Sequence, residues 1–375
     1  MKDNFIYLDN AATTKPSDEV VALNNVIQSE YFANPNSIHE LGVLANKQIY
    51  LAKEKILKHF KLTKHKVLFT ASSTEANNIA IKGYCLNYKN RGKHIITSEI
   101  EHPSVSECFK QLEKEFGFSI TILKVDNNGQ ISLSDLEKSL QNNTILVSIM
   151  AINNEIGSIN PISKIAQIVH KFPKANLHVD TTQAIGKMSL DYSDIDMFVV
   201  SSHKIHGLKG SGALIYKNSL SFLPLISGGG QEDGFRSGTQ SVANAVTLAK
   251  AIELIKKEDV NHIIELKNRL VSKLSSVDEI VFNSNENCSP YIVNFSLKTK
   301  KASVVVEALS LKGIYVSSVS ACNSKKEASS YVVKAISGDD HRAHNTIRVS
   351  FSKDNSLEEI DVFTKELINI LETIR

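Results

Sequence analysis

Short apolar runs alternate with longer amphipathic stretches through the middle of the chain, between about residues 65 and 216. The apolar runs predict strands near residues 67–70, 93–98, 119–125, 145–152, 177–181, 197–201 and 213–216. The amphipathic stretches predict helices near residues 72–84, 104–116, 133–140 and 162–172. This alternation is typical of an α/β protein in which helices connect the strands of one sheet.

The pattern changes after about residue 260. A long helix comes first, then strand-like runs at residues 291–297 and 347–351, and then a last helix. Ser356 and Glu359 have the spacing of a capping box, in which two side chains satisfy free backbone N–H groups, and this predicts where the last helix begins.

These two patterns predict two domains. We expect a large domain over residues 15–258 and a smaller α+β domain formed by residues 1–14 together with residues 259–375. Ligands of such proteins usually bind in the cleft between domains, at the carboxyl ends of the sheet strands, so we expect the functional site there.

Composition removes several classes of function. Of the 375 residues, 42% are hydrophobic and 22% charged, which excludes a disordered, collagen-like or coiled-coil chain. The net charge of +3 is too small to indicate a direct nucleic-acid partner or a membrane surface. The longest strongly apolar stretch, residues 145–152, is far too short to span a bilayer.

The four cysteines, Cys85, Cys108, Cys288 and Cys322, lie far apart without a CxxC pair. This spacing predicts neither a disulfide framework nor a thiolate metal site, and it favours a reducing compartment, so we expect a cytoplasmic protein. His341 and His344 lack further ligands nearby in sequence, so we interpret them as a polar surface loop and expect no metal site.

Three separate patterns point to one kind of chemistry. Lys204 follows a buried strand, where desolvation would free its amine as a nucleophile, although a strand-end lysine reaching water has the same pattern. Asp180 ends another strand and would either pair with a cation or cap the next turn. The S-x-x-E sequence from Ser72 to Glu75 begins a helix whose free N–H groups suit a phosphate. Together they fit pyridoxal phosphate, whose ring nitrogen needs an acidic partner.

A larger set of motifs carries a family resemblance, in the segments 7–14, 34–39, 73–78, 101–104, 153–157, 180–183, 202–204, 228–232, 236–239, 320–322 and 347–350. In these segments the sequence resembles the pyridoxal-phosphate-dependent cysteine desulfurases of the class V aminotransferase group, over nearly the whole chain. The resemblance implies a fold-type I enzyme, with a mainly parallel seven-stranded sheet flanked by helices in the large domain and a smaller α+β domain.

The resemblance also implies roles for residues around the cofactor. Lys204 looks like the lysine that holds pyridoxal 5'-phosphate and later moves the substrate Cα proton. His102 would stack on the cofactor ring and act as an acid or base, although a His-Pro pair is also common in turns. Asp180 would pair with the ring nitrogen, and Gln183 would bind the phenolic oxygen.

The remaining implied roles concern anions. The phosphate group would be held by hydroxyl and imidazole groups, supplied by Ser73, Thr74, Ser201, His203 and, from a second subunit, Thr239. Asn154 would contact both cofactor and substrate, and with Arg348 it would bind the substrate carboxylate. The resemblance therefore implies a homodimer with shared active sites.

Cys322 distinguishes desulfuration from transamination. It lies in a stretch of small and polar residues, and nearby Lys325 and Lys326 would favour its thiolate. Val319 stands where the similar proteins have glycine, which puts the mobility of the loop in question. We expect the other cysteines to be inert: Cys85 and Cys108 as buried helical residues, and Cys288 as an exposed loop thiol.

We therefore expect a cysteine desulfurase that converts L-cysteine to L-alanine and passes the sulfur, as a Cys322 persulfide, to an acceptor protein for iron–sulfur cluster assembly or tRNA thiolation. A selenocysteine lyase would share nearly every residue named. A non-catalytic sulfur-relay or assembly partner on the same fold would lose the cofactor residues, and the presence of Lys204, Asp180 and His102 argues against it.

Overall fold

The structure is a computed structural model, which describes residues 5–255, 260–318 and 329–374. The predicted Cys322 loop, with Val319, Lys325 and Lys326, lies outside the described residues. The strands are β1 (Ile6–Tyr7), β2 (His65–Thr70), β3 (His94–Ser98), β4 (Ser119–Leu123), β5 (Thr144–Met150), β6 (Asn176–Asp180), β7 (Met197–Ser201), β8 (Gly212–Lys217), β9 (Ile280–Phe282), β10 (Ile292–Leu297), β11 (Ile314–Tyr315), β12 (Ser317–Ser318) and β13 (Thr346–Ser350).

The α-helices are α1 (Asp18–Glu30), α2 (Glu40–His59), α3 (Ser73–Asn78), α4 (Tyr84–Tyr88), α5 (Pro103–Phe116), α6 (Leu133–Ser139), α7 (Ile162–Val169), α8 (Val242–Glu253), α9 (Val260–Leu274), α10 (Ala302–Leu311), α11 (Tyr331–Ser337), α12 (Asp340–His344) and α13 (Leu357–Thr373). The capping box predicted at Ser356 and Glu359 is confirmed at the start of α13. None of the helices in the described ranges is long and apolar enough to cross a membrane.

The predicted seven-stranded sheet is confirmed, with the strand order β2-β8-β7-β6-β5-β3-β4. The five strands from β7 to β4 in that order pair in parallel, and β8 pairs antiparallel with both β7 and β2. Neighbouring side chains of a strand pack into different cores, as Ile95 and Ile96 do, because successive residues point to opposite faces. Helices cover both faces, which explains why the central strands are apolar throughout.

The C-terminal part has a core of its own. Strands β12, β13, β10 and β9 form an antiparallel sheet, and α9, α10 and α13 pack against it. Leu8 and Ala11 from the N-terminal segment belong to this second core, and β1 pairs with β11. The packing supports the division into residues 15–258 and 1–14 with 259–375, whose boundaries stay a prediction.

The helix predicted from Ser72 through Tyr84 is confirmed, with a π-helical turn at Ile79–Gly83, where the Gly83 carbonyl accepts a hydrogen bond from Leu223 N. Two other local predictions were wrong. Residues 341 and 344 lie in the short helix α12 instead of a loop, because Asp339 caps it. Cys288 is only 5% exposed, since its turn packs over Lys267, whose Nζ donates to the Cys288 carbonyl. The buried state expected for Cys85 and Cys108 is confirmed.

Candidate active site

The residues predicted to carry chemistry follow adjacent parallel strands. Asn154 follows β5, Asp180 is the last residue of β6, and Lys204 lies in a single 3-10 turn directly after β7. Because these strands are parallel neighbours, their carboxyl ends lie at the same edge of the sheet. The topology therefore brings these three residues to one edge.

Asp180 is a buried carboxylate at the end of β6. It is 6% exposed, and its two oxygens accept hydrogen bonds from Asn77 Nδ2 at 3.0 Å and from Thr182 N at 2.9 Å. Within the part of the chain that the structure describes, it forms no ion pair. A protonated pyridine nitrogen would supply the missing positive charge, so the site fits the ring of pyridoxal phosphate.

A short hydrogen-bonded network joins Asp180 to His102. Asn77 Nδ2 also donates to Ser104 Oγ at 2.9 Å, and Ser104 Oγ lies 2.9 Å from His102 Nδ1. The same Nδ1 accepts from Ser104 N at the start of α5. These contacts assign the acceptor role to Nδ1, so neutral His102 carries its proton on Nε2.

The charge state of His102 follows from its surroundings. Burial lowers the pKa of His102; nearby Asp180 opposes this shift and the positive charge of Lys204 adds to it. The imidazole is therefore neutral near pH 7, able both to stack on a flat ring and to donate through Nε2.

Lys204 lies against the N-terminal segment. Its Nζ donates to the carbonyl oxygens of Ala11 and Ala12 at 2.6 and 2.7 Å. Gln183 Nε2 donates to the same Ala11 oxygen at 2.9 Å, and Lys187 Nζ donates to Gln183 Oε1 at 2.9 Å. The predicted cofactor lysine and Gln183 are thus held around one carbonyl group.

A phosphate site is supported by one polar atom in particular. Ser201 is 2% exposed, and its Oγ has no hydrogen-bond partner among the described residues, although it lies at the end of β7. His203 Nδ1 contacts Thr13 Oγ1, and Ser73 and Thr74 form the first turn of α3. A buried hydroxyl without a partner is costly, and a phosphate oxygen would satisfy it.

The remaining predicted phosphate ligand is Thr239. It lines another cavity of the same chain, beside Thr70, Glu232 and Arg236. Arg236 forms an ion pair with Glu75 at 2.8 Å, so this loop is tied to the first turn of α3. The predicted contribution of Thr239 to a second subunit stays a prediction.

Arg348 has capacity left for an anion. Its Nη1 donates to the Asn154 carbonyl at 2.9 Å, and its Nη2 donates to Asp9 Oδ1 at 2.8 Å. The Nε–H is buried without a partner among the described residues, as is Asn154 Oδ1. A carboxylate would satisfy the unpaired guanidinium edge, which fits the predicted substrate contact.

Sequence reasoning missed four residues of the site: Asn77, Glu101, Asp9 and Glu155. Glu101 is 1% exposed; burial raises its pKa to about 8, against the effect of hydrogen bonds from Ser98 and Met150. Glu155 is buried and accepts a hydrogen bond from Ser330 at 2.5 Å. All four lie in segments that carry the family resemblance, and that was the only signal for them in the sequence.

Comparison with known proteins identifies the family of this chain. The model of the class-V aminotransferase family matches residues 6–363. "Cysteine desulfurase IscS" of Dictyoglomus turgidum is 36% identical over 377 residues, which cover 99% of this chain and 95% of that protein. A solved "NIFS-like protein" is 36% identical, with a TM-score of 0.91, and covers 99% of this chain and 100% of its own.

A second solved structure, "SspA in complex with cysteine", is 31% identical with a TM-score of 0.80, and it covers 92% of this chain and 98% of its own. Proteins of this kind depend on pyridoxal phosphate, in agreement with the buried groups around Lys204, Asp180 and Ser201. The chain belongs to the class-V aminotransferase family.

Proposed function

We propose that this protein is a cysteine desulfurase, which converts L-cysteine to L-alanine and passes the sulfur on as a persulfide of Cys322. The observation that carries the proposal is the network from Asp180 through Asn77 and Ser104 to His102, at the sheet edge that also holds Lys204. Relatives named cysteine desulfurase, similar over the whole chain, support the same reaction.

The chain's own residues divide the work at the reacting carbon. Bound pyridoxal phosphate supplies an electron sink for negative charge at the substrate Cα. Asp180 would keep the ring nitrogen protonated, and Asn77 and Thr182 orient the Asp180 carboxylate. Lys204 would hold the cofactor and move the Cα proton, while the Nε2–H of His102 would donate a proton to the substrate sulfur.

Other residues bind the cofactor phosphate and the substrate carboxylate. Ser73, Thr74, Ser201 and His203 hold the phosphate, and Thr239 completes the phosphate site of the opposite subunit in a homodimer. Burial, with Lys204 and Lys209 as lesser causes, lowers the pKa of His203 to about 4, so it binds as a neutral imidazole. Gln183 binds the phenolic oxygen, and Asn154 and Arg348 bind the substrate carboxylate.

Sulfur transfer uses Cys322. The Cys322 thiolate attacks the substrate sulfur, and the carbon–sulfur bond of the substrate breaks. The electron pair of that bond stays on the substrate carbon, which becomes the alanine methyl group after protonation. Described residues on either side of residues 319–328 contact the site: Ser317 in β12 pairs with Arg348, and Tyr331 at the start of α11 donates to the Glu101 carbonyl at 2.8 Å. Both therefore lie beside the site.

The destination of the sulfur belongs to the proposal as well. We assign it to an acceptor protein in the cytoplasm, either a scaffold for iron–sulfur clusters or an enzyme of tRNA thiolation. The acceptor class is what the family resemblance implies, and the cytoplasmic location rests on the cysteine spacing, which favours a reducing compartment.

The experiment compares the wild type with Cys322→Ser and with Cys288→Ser as a matched control, since Cys288 is buried and its carbonyl is bound by Lys267. With a thiol reductant present to release the persulfide sulfur, L-cysteine should yield equal amounts of alanine and sulfide with the wild type and the control, and neither with Cys322→Ser, which should keep the visible absorption of bound cofactor. Alanine formation by Cys322→Ser from L-cysteine would contradict the proposal. Faster turnover of L-selenocysteine than of L-cysteine by the wild type would assign the site to a selenocysteine lyase.

A further inference from the structure

Backbone hydrogen bonds hold Asp9 next to Arg348. The segment around Asp9 runs beside β13: Ser350 N donates to the Leu8 carbonyl at 2.8 Å, and Asn10 N donates to the Ser350 carbonyl. Asp9 itself forms an isolated bridge with Ser350. The Asp9 carboxylate therefore projects beside the Arg348 side chain from a fixed position.

The pairing is specific to these two residues. Asp9 Oδ1 accepts from Arg348 Nη2 at 2.8 Å, and in the described ranges this is the one ion pair that either residue makes. The side chains are 14% exposed for Arg348 and 21% exposed for Asp9, so water screens the pair only in part. The nearest phenol, Tyr7, has a pKa raised to about 12, by burial first and by Asp9 second, and it stays neutral.

One edge of the guanidinium is left for an incoming carboxylate. Nη1 is occupied by the Asn154 carbonyl and Nη2 carries Asp9, whereas the Nε–H is buried without a partner among the described residues. A carboxylate that binds through Nε and the second proton of Nη2 shares the arginine with Asp9. Two like charges on one guanidinium repel each other, so each weakens the binding of the other.

We propose that Asp9 is a counter-ion that weakens the binding of Arg348 to the carboxylate of the amino acid substrate and product. This inference rests on the proposed function, which places the substrate carboxylate at Arg348. L-cysteine and L-alanine carry the same carboxylate, so tighter binding would hold the product as firmly as the substrate without speeding the chemical step. Asp9 thereby favours release of alanine.

The proposal predicts a gain in affinity from the loss of a charge. Asp9→Asn keeps an oxygen for Arg348 Nη2 and removes the negative charge. L-alanine should then bind the cofactor-loaded protein about three- to tenfold more tightly, as measured by titration calorimetry. L-alaninamide, which has no carboxylate, should show no gain. In turnover, Asp9→Asn should lower the KM for L-cysteine and increase inhibition by L-alanine.

If Asp9 only orients Arg348, Asp9→Asn should bind L-alanine less tightly than the wild type, because a badly oriented Arg348 binds carboxylates less well. Weaker or unchanged binding of L-alanine by Asp9→Asn would overturn the proposal, and so would equal tightening of L-alaninamide. Asp9→Ser carries the same expectation if Asp9→Asn does not fold.

Arg348→Gln separates this inference from the proposed function. It should bind L-alanine much less tightly than the wild type, and adding Asp9→Asn to it should restore nothing. If Arg348→Gln binds L-alanine as the wild type does, the carboxylate site of the proposed function is wrong, and the role of Asp9 falls with it. If Arg348→Gln is weak and Asp9→Asn brings no gain, the role of Asp9 alone is wrong.

Discussion

Glu101→Gln should remove part of the pH dependence of folding. The carboxyl group of Glu101 is buried between β3 and β5, where Oε1 accepts from Ser98 Oγ and Met150 N and Oε2 has no partner among the described residues. Burial raises its pKa from 4.5 to about 8, with a smaller contribution from the negative charge of Asp180. The folded protein therefore keeps a proton on Glu101 at pH values where the unfolded chain has lost it.

The sign and size of the effect follow from proton linkage. Between pH 4.5 and about 8 the folded state binds one more proton than the unfolded state, so the stabilisation is complete below pH 4.5 and is lost as pH rises to the folded pKa. The slope is about 1.4 kcal/mol for each pH unit, which amounts to about 3 kcal/mol between about pH 5.5 and 7.5. Glutamine has no proton to lose, so the wild type should lose this much stability relative to Glu101→Gln.

Urea unfolding at fixed protein concentration measures this difference, because the stability of an oligomer depends on concentration. Histidines titrate equally in both proteins, so their effect cancels when the two curves are subtracted. Glu107→Gln, at an exposed glutamate of α5 paired with Lys110, is the control and should follow the wild type. Parallel pH curves for the wild type and Glu101→Gln would refute the assignment of a protonated Glu101.

Further predictions concern the cofactor. Borohydride reduction of the yellow protein should fix the cofactor to Lys204, and peptide mapping that found it on Lys209 would show the assignment to be wrong. Thr239→Val should weaken cofactor binding by about ten- to hundredfold. In mixed dimers of Thr239→Val with Lys204→Ala chains, the site with an intact Lys204 should regain wild-type affinity; a site that stays weak would place Thr239 in its own chain. Asn77→Ala should lower the free energy of unfolding by about 1–3 kcal/mol, because it removes a donor from buried Asp180; an unchanged urea midpoint would contradict this.

The sheet could be predicted because its central strands are apolar on both faces and end in turns that the sequence marks. The two-residue strands β1, β11 and β12 could not, since their pairing depends on residues far away in sequence: Ile6 pairs with Ile314. The burial of Cys288 was missed for the same reason, because Lys267 on α9 covers the turn that contains it.

The site residues that lie at the ends of strands could be predicted from the sequence. Lys204 follows a strand and Asp180 ends one, and the strand order then places them at one edge. The network through Asn77 and Ser104 depends on how α3 packs against α5. The hydrogen-bond partners of amide and hydroxyl side chains cannot be predicted from the sequence. Asp9 was read only as part of a motif, because its pairing with Arg348 spans 339 positions.

The most direct test of the account is to locate the sulfur after a single turnover. The protein is mixed with L-cysteine without reductant or acceptor, digested, and analysed by mass spectrometry. One additional sulfur atom on the peptide that contains Cys322, appearing together with one alanine per active site, is the predicted result. Alanine formed with the extra sulfur on the peptides of Cys85, Cys108 or Cys288, or with no protein-bound sulfur, would contradict persulfide transfer through Cys322.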